Sequence, residues 1–223
     1  MLNVYVGYDP REAVAFHVLA HSILRHSTVP VCVAPVMQSQ LKGIYTRPRG
    51  PTESTEFSLT RFLVPSLSDF RGWSVYMDCD MLCRMDFAHM AKEIARQADK
   101  AVLVCKHDYT PGEERKFLNQ VQTAYPRKNW SSVMAFNNER CRKLSPDYVN
   151  SATGLELHRF LWTEDRSIGE LPIEWNWLVG EYSYNPAARI IHYTLGGPWF
   201  KEYEKCDYAD DWRDELELTQ HAG

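Results

Sequence analysis

The sequence predicts an α/β sandwich built around one hydrophobic core. Three observations carry that prediction. Short β-rich apolar runs alternate with stretches of helical periodicity through the first half of the chain, the pattern of a sheet covered by helices. With 223 residues, 44% of them hydrophobic and 24% charged, the chain has the size and balance of a globular domain that can bury a sizeable core. No internal repeat, low-complexity tract or linker-like stretch divides it, so residues 1–223 read as one domain.

The elements follow in order. Residues 2–6 form an apolar run stopped by Gly7, and residues 11–25 carry Val14, His17, Val18, Ile23 and Leu24 at helical spacing, giving strand, turn, helix. Residues 30–36 are a second β-rich run. A Gly/Pro/Arg-rich loop spans residues 43–51, and helical character resumes over 56–67 around Pro65. Residues 73–77 are a third strand ending at Asp78, residues 87–98 an amphipathic helix, and residues 101–105 a fourth strand. The second half is less regular: strands at 131–136, 168–171 and 189–192, and a short helix at 138–144, separated by Trp-rich loops. From about residue 203 the chain is acidic and reads as a surface helix or tail with a solvated face.

Composition excludes several function classes. A net charge of −4 provides no global positive field for nucleic acid or an anionic bilayer. The six cysteines stand mostly singly inside apolar runs, which reads as buried thiols in a reducing compartment. Cys79 and Cys83 have no second Cys/His pair at zinc-finger spacing. The N-terminus lacks a basic region, and no apolar run approaches the roughly 18 residues that span a bilayer, so the expected location is the cytoplasm.

The sharpest local feature is Asp78-Cys79-Asp80 directly after a strand. Two carboxylates at i and i+2 on a chain leaving a sheet can converge on one divalent ion, and the carboxyl end of strands is where ligands collect in α/β folds. Oxygen donors suit Mg²⁺ or Mn²⁺, which bridge carboxylates to substrate phosphates. Arg61 is the one strong cation in the apolar stretch 57–65 and needs an anionic partner, either a phosphate or a nearby aspartate. His192 follows a short strand, and a neutral imidazole could complete a metal shell; Gly196 and Gly197 would let backbone N–H groups approach a phosphate.

Taken together, these stretches resemble the GT-A glycosyltransferases, most closely the family 8-like retaining enzymes that use nucleotide sugars. The matching segments are Arg61-Phe62-Leu63-Val64-Pro65, Asp78-Cys79-Asp80, Trp130-Ser131-Ser132-Val133-Met134, Leu171-Pro172-Ile173-Glu174-Trp175-Asn176 and His192 through Trp199, in family order over about residues 1 to 200. The resemblance implies a Rossmann-like α/β/α sandwich with a mixed central sheet. It implies that Asp78, Asp80 and His192 bind Mn²⁺ or Mg²⁺, that Arg61 touches the sugar or phosphate, and that the nucleotide, with UDP the expected carrier, rests on Tyr8, Asp9 and Arg11. Asp9 also reads as the cap of the following helix, with Pro10 at its first position. The implied partners are a nucleotide-sugar donor and a glycan, glycolipid or small-molecule acceptor. A lipid-linked acceptor would place the chain peripherally at a membrane.

The chain departs from the family pattern in two places. The last motif is one residue shorter and carries Gly197 where the family has Lys, leaving Lys201 as the substitute. The family's Asp-Gln dyad is absent; Glu156, His158, Glu164 and Asp165 stand nearby, and the sequence does not choose among them, with Glu156 and Asp165 carried forward beside Arg61 as catalytic candidates. Residues 43–55 read as a lid and residues 106–109 as an acceptor-facing turn. The rival readings are a sugar-phosphate nucleotidyltransferase, which would want a Gly-rich loop after the first strand, and a non-catalytic nucleotide-sugar-binding module.

Overall fold

The strands, in chain order, are β1 (Leu2–Gly7), β2 (Val31–Val36), β3 (Trp73–Met77), β4 (Met81–Cys83), β5 (Val102–Val104), β6 (Arg115–Lys116), β7 (Gln120–Val121), β8 (Val133–Asn137), β9 (Ile168–Glu170), β10 (Trp177–Leu178) and β11 (Ile190–His192). The helices are α1 (Ala13–His26), α2 (Val64–Leu67), α3 (Ala88–Arg96), α4 (Pro146–Ser151), α5 (Gly154–His158) and α6 (Ala209–Gln220). The computed structural model describes residues 1–50, 53–108, 115–116, 120–121 and 127–220.

Six strands form a mixed sheet in the order β2-β1-β3-β8-β5-β9. β1 is parallel to β2 and β3, β8 runs antiparallel between β3 and β5, and β9 is parallel to β5. All six lie where the apolar runs placed them. Their residues are buried on both faces in the middle of the sheet, which is why β3, β5 and β8 read as continuous apolar runs rather than alternating ones. One consequence fixes the site. The carboxyl ends of β1, β3 and β5 and the amino end of β8 emerge on the same sheet edge.

A second, three-stranded sheet, β10-β11-β4, stands at that edge, with His192 of β11 opposite Met81 of β4. β4 and β10 are too short for a periodic pattern and were not legible in the sequence. Gly7 closes β1 where any side chain would be blocked: a Cβ there would meet the Phe57 ring and the Tyr76 hydroxyl at 2.5 Å.

Some expectations change. The helix expected over 56–67 is a 3-10 turn, Thr60–Leu63, running into one turn of α-helix, α2, with Pro65 in its first turn where no N–H is required. The helix expected at 138–144 is a single 3-10 turn, Asn138–Cys141, and the strand expected from 131 begins at Val133 after another such turn. The cysteines are all free thiols, but Cys32 is exposed on edge strand β2 and Cys206 only half-buried, against the reading of buried thiols throughout. Among the described residues no helix is long and apolar enough to cross a membrane.

The acidic C-terminal stretch is not merely a solvated face. Trp212 of α6 packs into a cluster with Val18, Leu82, Ile191 and Tyr193. Glu215, 3% exposed, accepts hydrogen bonds from Arg25 at 2.5 Å and pairs with His21 at 2.6 Å on α1. Burial alone would push the Glu215 carboxyl up, but the bonds from Arg25 and His21 outweigh it and hold it below the usual glutamate range. Glu215→Gln is therefore expected to cost about 1.5–3 kcal/mol at pH 7 in urea unfolding. Because the carboxyl is depressed, its contribution is present above the unfolded value and fades as pH falls through the folded one, so the gap between wild type and variant should narrow steadily below about pH 4.

Candidate active site

Asp78, Asp80 and His192 come together at the shared sheet edge. Their ligand atoms lie within 4.8 Å of one another, two oxygens and one imidazole nitrogen from segments more than a hundred residues apart. The cause is topological. β3 delivers Asp78 at its carboxyl end, the turn into β4 carries Asp80, and β11, paired to β4, brings His192 back across it, with His192 Nε2 3.5 Å from Asp80 Oδ1. The backbone is tied as well: Tyr193 N–H donates to the Asp80 carbonyl at 2.9 Å and Asp78 N–H to the Ser132 carbonyl at 3.0 Å.

Each member is held by identifiable neighbours. Asp78 accepts from the Tyr76 hydroxyl at 2.8 Å and pairs with Arg61 Nη1 at 2.9 Å. Burial raises the Asp78 carboxyl above its ordinary value, opposed by Arg61 and reinforced by Asp80, so a nearby cation would be welcome. Arg61 is buried, donates to the Ser131 and Phe57 carbonyls at 2.9 and 3.2 Å, and lies over the Phe57 and Tyr76 rings. Both readings of Arg61 made from sequence thus concern one spot: its aspartate partner is itself a member of the cluster.

The His192 ring is oriented by Asn176, and the hydrogen-bond pattern fixes its tautomer. The Asn176 Nδ2 group faces the Ser132 hydroxyl and His107 Nε2, both at 2.8 Å, and the Asn129 carbonyl at 3.2 Å. A carbonyl can only accept, so the amide's NH₂ end points there and its oxygen points at His192 Nδ1, 2.8 Å away. His192 Nδ1 must therefore carry a proton, so Nε2, which faces Asp80, is the nitrogen left for a metal. His107, pushed down to about 3 by burial, stays neutral and continues the chain to the Tyr182 hydroxyl at 2.9 Å. The donor set, two carboxylates and a neutral imidazole, fits Mn²⁺ or Mg²⁺. Replacing Asn176 with Ala is expected to weaken Mn²⁺ binding about 10–100-fold by releasing that ring, as read by calorimetric titration.

The other expected site residues are placed as follows. Asp9 is buried and caps the 3-10 turn Pro10–Glu12, accepting from Arg11 N–H at 3.0 Å; its oxygens also take the Arg11 guanidinium and Glu56 N–H. The capping reading holds. Arg11 reaches on to the Ser54 carbonyl at 2.7 Å, and Tyr8, half-buried, meets Phe16 edge to face. Gly196 gives its N–H to the Tyr193 carbonyl, and Gly197 is needed for space, since a Cβ there would meet the Trp199 ring at 2.0 Å. Lys201 is exposed on the 3-10 turn Lys201–Tyr203.

Glu156 and Asp165 do not belong to the cluster. Glu156 closes a capping box with Thr153 at the start of α5, and Asp165 is exposed, paired with Arg127 at 2.7 Å. Of the expected lid, residues 51–52 lie outside the described residues, and the earlier part is anchored: Thr46 N–H donates to Asn150, and Arg47 to the Val149 and Ala152 carbonyls. In the turn 106–109, Tyr109 lies outside the described residues, His107 is buried in the Asn176 network, and Lys106 sits over the Trp130 ring. Sequence reasoning gave no role to Asn176 or Tyr76. The spacing of Tyr76 and Asp78 on one strand face was the available signal for the second.

The chain is 46% identical over 225 residues to Protein CDI of Arabidopsis thaliana, an alignment covering 96% of this chain and 86% of that protein. The chain belongs to the CDI protein family. No family model matches it. The fold of this CDI-family chain is similar to that of the bifunctional glycosyltransferase WbbM, with a TM-score of 0.67 at 14% identity, covering 96% of this chain and 49% of that one. The glycosyltransferase GlyE of Streptococcus pneumoniae TIGR4 gives 0.62 at 14% identity, over 97% and 61%. The galactosyltransferase LgtC, solved with donor and acceptor sugar analogs, gives 0.59 at 10% identity, over 96% and 95%. The chain thus spans about half of WbbM and under two thirds of GlyE, and these likenesses establish a GT-A fold.

Proposed function

We propose that this CDI-family chain is a cation-dependent glycosyltransferase, one GT-A domain of the family 8-like retaining type. It moves a sugar from a nucleotide-diphosphate sugar, with uridine the favoured base, to a glycan, glycolipid or small-molecule acceptor. The convergence of Asp78, Asp80 and His192 at the carboxyl edge of a GT-A sheet carries this reading. Mn²⁺ or Mg²⁺ held there would supply Lewis-acid neutralisation of the charge that builds on the departing diphosphate.

The remaining work belongs to the protein's residues. Asn176 holds the His192 ring in its ligating tautomer, and Arg61 provides a fixed positive charge beside Asp78. The first turn, Tyr8, Asp9 and Arg11, is the proposed nucleotide rest, and Gly196, Gly197 and Lys201 close the diphosphate side. The sugar becomes oxocarbenium-like, which calls for a carboxylate or amide at its face. Glu156 and Asp165 serve that role only if donor binding brings α5 and the following turn inward. Closure of residues 43–55 would exclude water. We place this chemistry in the cytoplasm, at a membrane surface if the acceptor is lipid-linked.

The test is release of UDP from UDP-sugars, set against release of pyrophosphate from UTP and sugar phosphate, each with and without MnCl₂. Cation-dependent UDP release is the expected result. Pyrophosphate release instead would mark a nucleotidyltransferase, and UDP binding indifferent to cation, without turnover, a binding module.

A further inference from the structure

Glu12 is the acid that the site described above does not use. It is 1% exposed, and neither of its carboxylate oxygens has a hydrogen-bond partner among the described residues. Folded proteins rarely leave a buried carboxyl so, because an unsatisfied polar group carries its full desolvation penalty. Burial, the largest cause, pushes this carboxyl up to about 9. Of the charges acting on it Asp80 is the strongest, with Asp9 and Asp78 adding to it and Arg11 opposing.

Topology explains that proximity. β1 and β3 are parallel neighbours with Val6 opposite Met77, so the turn leaving β1, Pro10–Glu12, lies beside the turn leaving β3, which carries Asp78 and Asp80. α1 then runs along β4, where the Ser22 hydroxyl accepts from Cys83 N–H at 3.1 Å. The buried thiol of Cys79, between the two aspartates, feels Glu12 more strongly than any other charge.

The charges then count simply. Arg11 offsets Asp9 and Arg61 offsets Asp78. A His192 that gives its Nε2 lone pair to a cation adds no charge of its own. Glu12, its carboxyl held up to about 9, is protonated without an ion; a cation entering beside Asp80 would displace that proton to solvent, and Asp80 and Glu12 would then supply two further negative charges, the complement of one divalent cation. An unsatisfied acid kept in the interior at a cost to stability is what a functional site retains and a purely structural one would lose.

We propose that Glu12 is the third acid of the cation site, supplying the negative charge that lets Asp78, Asp80 and His192 hold a divalent ion before any donor arrives. The inference rests on the cation-site reading given above. It assigns Glu12 a positioning role through charge and requires no bond from its carboxylate to the ion.

The experiment uses the full chain with MnCl₂ alone, comparing wild type with Glu12→Gln and Glu12→Leu by calorimetric titration and by thermal unfolding with and without the ion. Without ion, both variants are expected to unfold at or above the wild-type temperature, since the unsatisfied acid is gone. Their Kd for Mn²⁺ is expected to rise at least about tenfold, and the Mn²⁺-induced shift in Tm to shrink accordingly. Unchanged Mn²⁺ affinity in both variants overturns the proposal. So does a lower Tm with an undiminished Mn²⁺ shift, the mark of a structural role. If wild type fails to bind Mn²⁺ alone, the proposal fails, and repeating the titration with UDP present separates the two readings: binding then leaves the cation site standing, and no binding removes it as well.

Discussion

Asp80→Asn should abolish cation-dependent donor binding while leaving the ion-free protein at least as stable as wild type. Asp80 lies 3.5 Å from His192 Nε2, and its backbone carbonyl is tied to Tyr193 N–H, a bond the substitution keeps. What changes is one charge. In the ion-free protein that charge works against its neighbours: it raises the carboxyls of both Asp78 and Glu12. Removing it relieves like-charge repulsion. With ion present it would be a ligand, and its loss should weaken Mn²⁺ binding by at least about a hundredfold and transfer correspondingly, the several kcal/mol that direct metal stabilisation supplies. Opposite signs for the ion-free Tm and the ion affinity distinguish this from general damage. A variant that loses both together would point to a structural role.

Arg61→Leu should have the largest effect on stability, about 3–5 kcal/mol in urea unfolding at pH 7. The guanidinium is buried and answers Asp78, the Ser131 carbonyl and the Phe57 carbonyl at once, so its removal leaves a buried carboxylate and two carbonyls short of donors. Adding Asp78→Asn should recover part of the loss, because the unmatched charge is then gone, while binding of UDP with Mn²⁺ stays absent. The coupling measured by that double-mutant cycle should be about 1–3 kcal/mol, as for residues in one buried network. Asp78 is raised by burial, so without Arg61 it takes up a proton more readily, and the cost of Arg61→Leu should diminish toward acid pH.

Much of this was legible before any coordinates. The six strands of the main sheet are apolar runs stopped by Gly7, Asp78 or polar clusters, so periodicity and punctuation located them. Asp78, Asp80 and His192 were legible because their residue types declare metal chemistry at strand ends. What escaped detection has physical reasons. β4 and β10 are three and two residues long, too short for any period. Asn176 acts through His192, sixteen residues on, with nothing local to mark it; Tyr76 acts on Asp78, two residues on, and lies under Arg61, and only its spacing from Asp78 could have marked it. Glu12 drew no reading from the sequence, since an acid near a helix start is ordinary there; only the fold shows it buried and under the charge of Asp80. Glu156 stands in a Thr-x-x-Glu spacing, which is a capping box wherever it starts a helix, and it takes that local role.

The most direct measurement is the anomalous-scattering map of crystals grown with MnCl₂ and UDP. A single manganese peak at bonding distance from an Asp78 or Asp80 oxygen and from His192 Nε2, with the UDP diphosphate against it, is the predicted result. A peak elsewhere, or UDP bound at another edge of the sheet with Asp78, Asp80 and His192 touching neither ion nor phosphate, would contradict it.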